Sequence, residues 1–195
     1  MEEKILSEKE SLQLISKMIQ NTQKNLENSD GRPFLIWGYT TVFVSLLVYF
    51  TVSQTGDHRF NYFWFLIPLL GVLAMLFTRS KGDKERYVKT FLGNIILNIW
   101  VVVGIAALFV SVGSFFVNIP VLGLMLLLMG MGTLLTGLTI RYKLIVVSGA
   151  VGMLLSALPF LIHRMEQILV FAVVFVIMMI VPGHVLRYQN RKSHV

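Results

Sequence analysis

Residues 120–157 read PVLGLMLLLMGMGTLLTGLTIRYKLIVVSGAVGMLLSA, two apolar runs joined by a short basic turn. In the first run Gly123, Gly130 and Gly137 recur every seven residues, which lays three positions without side chains along one stripe of a helix. In the second run Ser148, Gly152 and Ser156 recur every four residues, the spacing of small residues that lets helices approach closely in a membrane. Arg141, Tyr142 and Lys143 form the turn and are suited to anchor it at the membrane surface. The stretch therefore predicts a tightly packed hairpin of two membrane-spanning helices at the centre of a larger bundle.

Composition agrees with that reading. The chain has 195 residues, 55% of them hydrophobic and 14% charged, and a mean hydropathy of +0.73. A soluble domain needs far more polar surface. The net charge of +7 would suggest a polyanion ligand in a soluble chain. Here the basic residues cluster between apolar runs, where they face lipid phosphates, so no direct nucleic-acid binding is expected. The chain contains no cysteine, so disulfides and thiolate sites are excluded and the redox compartment cannot be read.

Working outward, the runs predict an all-α membrane bundle of six spans, at about 34–52, 62–77, 91–112, 119–140, 144–162 and 168–186, each close to the ~20 residues that cross the hydrocarbon. Residues 1–33 form an arm without the apolar core of a cleaved signal peptide, and residues 187–195 form a basic tail. Within the arm, Ser7 and Glu10 make a capping-box pattern, and Leu12, Ile15, Met18, Ile19 and Leu26 recur at helical spacing. This predicts an amphipathic helix from about Glu8 to Asn28, broken by Ser29, Asp30, Gly31 and Pro33. Such a helix lies on the membrane surface or on the bundle's own inner face, or docks a partner. Pro68 predicts a kink in the second span, whose aromatic start (Phe60, Tyr62, Phe63, Trp64, Phe65) reads as an interfacial belt, with Trp37 and Tyr39 at the opposite surface.

Fifteen Lys and Arg residues fall on the arm, the 79–90 loop, the Arg141–Lys143 turn and the tail. Only Arg59 and Arg164 fall on the alternate side, which predicts that both termini are cytoplasmic. Gly137-Leu-Thr-Ile-Arg-Tyr142 is echoed by Gly183-His-Val-Leu-Arg-Tyr188, and more weakly by Ala74 to Arg79, which suggests three hairpins. Arg187 and Tyr188 would then anchor the sixth span as Arg141 and Tyr142 anchor the fourth.

Most of the polar residues in the spans read as structural. The spans hold no charge away from their ends, as an ion- or proton-coupled transporter would need. The one polar patch is Asn94 and Asn98, a turn apart on the third span, with Trp100 on the opposite face bracketed by Gly93 and Gly104. The amides read first as hydrogen-bonding groups between helices and second as the lining of a cavity, and Trp100 as packed in a glycine-lined groove. Thr133, Thr136 and Thr139 bond back to their own helix. His58, His163, His184 and His194 lack metal-ligand spacing, and no catalytic motif or phosphate loop is present, so no metal, cofactor or enzymatic activity is expected.

The arm from Ser7 to Leu26, the Trp37-Gly38-Tyr39 opening, the Gly132 to Lys143 segment and the closing Val181-Pro182-Gly183 to Tyr188 together resemble an uncharacterised family of small bacterial six-helix inner-membrane proteins. The resemblance implies no activity. Because members are often encoded beside a small winged-helix regulator, it implies such a regulator as a cytosolic partner. Two functions follow as expectations. The first is a non-enzymatic regulatory or structural component that presents its arm and 79–90 loop to a partner; the alternative is a small-molecule or lipid transporter or channel using Asn94, Asn98 and Trp100. A homo-oligomer is compatible with the glycine stripes.

Overall fold

The structure is a computed structural model, and it describes the backbone of residues 8–28, 31–78, 91–162 and 165–193. The predicted capping residue Ser7, the 79–90 loop, His163 and His194 lie outside the described residues, as do the side chains of Met18, Leu26 and His58. The chain is all-α, with α1 (Glu8–Asn28), α2 (Arg32–Thr55), a 3-10 helix (His58–Phe65) leading into α3 (Leu66–Thr78), α4 (Phe91–Gly113), α5 (Val121–Ile140), α6 (Lys143–Leu155), α7 (Leu158–Leu161), α8 (Glu166–Phe175), a π-helical turn (Val176–Ile180) and α9 (Val181–Ser193). Six helical stretches are long and apolar enough to cross a membrane, the architecture of a multi-pass membrane protein. The end of the bundle that carries Arg32, Arg141 and Arg187 is called the basic end below.

The 120–157 hairpin is the most extensively packed pair of helices. A Cβ built on Gly130 would stand 2.8 Å from the Met153 backbone nitrogen, one on Gly137 2.6 Å from that of Val146, and one on Gly149 2.4 Å from that of Leu134. Backbone meets backbone along this seam, so dispersion contacts replace the hydrophobic drive that lipid does not supply. The seven-residue glycine stripe thus faces its own hairpin partner. The Ser148, Gly152 and Ser156 stripe faces elsewhere: a Cβ on Gly152 would meet Met178 Sδ at 2.4 Å, so this face receives the sixth span. Ser148 and Ser156 are buried and donate to the carbonyls of Ile145 and Met153 in their own helix.

The sixth span also packs along α2, and 56% of its most apolar stretch is buried, against 6% in the second and third spans. The first, fourth, fifth and sixth spans therefore make the core, with the second laid on the first and the third on the fourth. Leu126, Ile140, Ile145, Phe171, Val174, Phe175, Met178 and Leu186 form its main cluster. The Gly137 and Gly183 echo has a shared physical cause. Each glycine admits a neighbouring helix near the basic end, and the aliphatic residue three positions on, Ile140 or Leu186, is fully enclosed. The corresponding Phe77 of the weaker echo is exposed.

Helical irregularities fall beside prolines in three of the spans. Pro68 sits in the first turn of α3, directly after the 3-10 helix His58–Phe65, so the second span changes its helical geometry just ahead of the proline. Phe63 and Trp64 of the expected aromatic belt turn inward, Trp64 meeting Phe171 edge-on at 5.5 Å, while Tyr62 and Phe65 stay exposed. Trp37 is a packing residue too, lying over Gly71. The fifth span breaks after Leu155, because Pro159 has no N–H to give to the Leu155 carbonyl, and the short α7 brings Phe160 over Gly123. In the sixth span Pro182 would likewise collide with the Met178 carbonyl, and the π turn ending at Ile180 widens the helix there. The helix does not end at Leu186 but runs to Ser193, so the basic tail begins as part of it.

Replacing Gly130 by Leu is expected to lower stability by about 1–3 kcal/mol through overpacking. Gly104→Ala, at a position with nothing within 4 Å, should be neutral or slightly stabilising. Thermal unfolding of both variants in detergent checks this.

Candidate functional site

The six small residues Gly123, Gly130, Gly137, Ser148, Gly152 and Ser156, whose spacing predicts helix packing, are taken up by contacts inside the bundle, and the surface left open to other molecules is at the basic end. There α1 lies across the bundle, touching α4, α5 and α9. Its polar face is richly charged, yet Leu12, Leu14 and Ile15 remain exposed. Between α1 and the α5–α6 turn runs an open cleft of about 300 Å³ lined by Leu12, Ile15, Ser16, Ile19, Gln20 and Arg141. Arg141 is held at the cleft by backbone geometry: it ends α5 with φ 55°, the left-handed conformation that closes a helix and that is usually left to glycine. Its backbone N–H and that of Tyr142 cap the carbonyls of Leu138 and Gly137. Tyr142 Oη donates to Gln189 Oε1, tying this turn to α9.

The chain entering α2 is pinned to the same end. Gly31 has φ 65°, and a Cβ there would come within 2.6 Å of the Gly183 carbonyl oxygen, so only glycine allows this crossing. Gly183 in turn leaves room for Phe34 and Leu35. Tyr39 Oη and His184 Nε2 share a hydrogen bond of 2.7 Å across the same joint. The result is one connected surface of α1, the Gly31–Gly183 crossing and the Arg141–Lys143 turn, a constellation that spacing does not reveal because its members are up to 175 positions apart in the chain.

The predicted polar patch is not assembled as expected. Trp100 turns inward and rests against Gly132 of α5, while Gly104 faces open space, so the tryptophan packs on a neighbour's glycine and not in a groove of its own helix. Asn94 and Asn98 point the other way and are exposed. The three residues do not line a common cavity. Thr133, Thr136 and Thr139 donate to the carbonyls of Met129, Gly132 and Leu135, as their spacing predicts. Among the described residues no three His, Cys, Asp or Glu side chains gather as a metal site. His184 is engaged with Tyr39.

Comparison with family models, curated proteins and solved structures finds no match for this chain.

Because Gly31 is strained for any other residue, Gly31→Ala is expected to cost about 1–3 kcal/mol and to speed protease cleavage between α1 and α2. His184→Ala, which removes one exposed hydrogen bond, should cost less than about 1 kcal/mol. Unfolding midpoints and limited proteolysis measure the pair.

Proposed function

We propose that this protein is a non-enzymatic regulatory or structural component of the bacterial inner membrane, with both termini cytoplasmic, and that its basic end docks a cytosolic partner. The observation that carries the reading is α1: an amphipathic helix already seated on the bundle that leaves Leu12, Leu14 and Ile15 uncovered beside a cleft and a guanidinium. Apolar residues flanked by charge on a rigid support are what a partner helix or groove recognises. The 79–90 loop, with five basic residues, belongs to the same side by the charge count. The resemblance of the chain to six-helix inner-membrane proteins encoded beside winged-helix regulators supplies the class of partner. The bundle itself serves as a scaffold, since its buried Thr133, Thr136 and Ser148 hydroxyls are spent on their own helices.

A Leu12→Glu, Ile15→Glu variant tests the reading. It is expected to leave the detergent unfolding midpoint within a few degrees of the parent, and to reduce recovery of co-purifying cytosolic protein by about tenfold, as loss of an apolar anchor does. Deleting residues 1–28 should do the same. Unchanged recovery from both variants would contradict the docking role of the arm.

A further inference from the structure

The third span presents to the outside a face that lipid alone does not account for. Asn94, Asn98, Val101, Ile105, Leu108 and Val112 are all exposed on α4, and the steps between them alternate four and three residues. That is a 3.5-residue repeat, the seam of a left-handed helix pair, with Asn98, Ile105 and Val112 at one set of core positions and Asn94, Val101 and Leu108 at the other. The opposite face of the helix, through Trp100 and Val103, is already taken by α5. Asn98 falls within a helical stretch long and apolar enough to cross a membrane, and neither amide has a hydrogen-bond partner among the described residues. A primary amide in hydrocarbon without a partner is costly.

We propose that this face of α4 pairs with the same face of a second copy, in a parallel two-helix seam registered by Asn98. Copies inserted in one membrane share an orientation, so a two-fold axis along the membrane normal sets their third spans parallel and places each residue near its own counterpart. An Asn amide both donates and accepts, so two Asn98 side chains satisfy each other, the complementarity that selects an identical partner. An Asn among such core positions fixes register, since a shifted pairing would set its amide against an apolar side chain. Val101, Ile105, Leu108 and Val112 are 50–60% exposed, and complete coverage of the seam with its two Asn would bury at most roughly 500 Å² per copy, at the ~1,000 Å² total where specific interfaces begin. The glycine stripes do not compete for the role, because Gly123, Gly130, Gly137 and Gly152 each hold a neighbour within the chain. The inference stands independently of the docking role proposed for α1.

The absence of native cysteine makes the test direct, since one introduced thiol is the sole thiol. Purified full-length Val101→Cys, Ile105→Cys and Leu108→Cys variants in phosphatidylethanolamine–phosphatidylglycerol vesicles are expected to form disulfide dimers on mild oxidation. Yields should be about fivefold above those of Leu76→Cys on α3 and Val147→Cys on α6, which are 55% and 58% exposed on other faces. Adding Asn98→Val to Ile105→Cys should lower dimerisation about threefold, the scale of one interhelical hydrogen bond in a membrane. Cross-linking at the seam no greater than at the controls would overturn the proposal. So would seam cross-links that appear only when other membrane proteins are present, which would assign the face to a different partner.

Discussion

The close approach of α5 and α6 is the constraint on which the rest of the bundle depends. Where Gly130, Gly137 and Gly149 bring backbone against backbone, no side chain larger than hydrogen fits. Lipid solvates apolar side chains as well as another helix does, so this contact is gained through shape and not through escape from water. Once the hairpin is closed, its second face of small residues is presented to the sixth span, where Gly152 receives Met178. The sixth span then supplies the surface on which α2 lies, and α2 carries α3. Glycines mark these joints, with Gly38 and Gly183 between α2 and the sixth span and Gly71 of α3 beneath Trp37 of α2.

That mode of construction has a consequence for function. Polar groups inside the bundle are used to satisfy the helices that carry them, as Ser45, Thr133, Thr136 and Ser148 do with carbonyls three or four residues back. What remains available lies at the periphery: the uncovered face of α1 with its cleft at Arg141, and the exposed seam of α4. The proposed scaffold role and the proposed pairing of α4 rest on these two surfaces.

Much of this was legible in the residues. Six apolar runs, the amphipathic arm, the basic turn and the back-bonding threonines follow from composition and period, which are local properties. The direction of each small-residue stripe is not local. Gly123, Gly130 and Gly137 look alike whether they face a hairpin partner, another span or another molecule, and Gly149 escapes notice because it belongs to no simple interval with the serines. The break before Pro159 and the π turn before Pro182 had a readable cause, a missing N–H inside a helix, but the long apolar runs around them masked it. The Asn pair was visible and its orientation was not: periodicity put it opposite Trp100, and only tertiary packing decides that Trp100 takes the inner side.

The first, fourth, fifth and sixth spans form the stable core, centred on the α5–α6 hairpin, and the second and third spans are held less firmly on its outside. Hydrogen exchange of the full chain in lipid nanodiscs, resolved by peptide, measures this ordering directly. Amides of residues 123–140, 145–155 and 168–186 are expected to be protected longest, and those of 66–78 and 94–113 to exchange earlier. Equal or greater protection in the second and third spans would contradict the account.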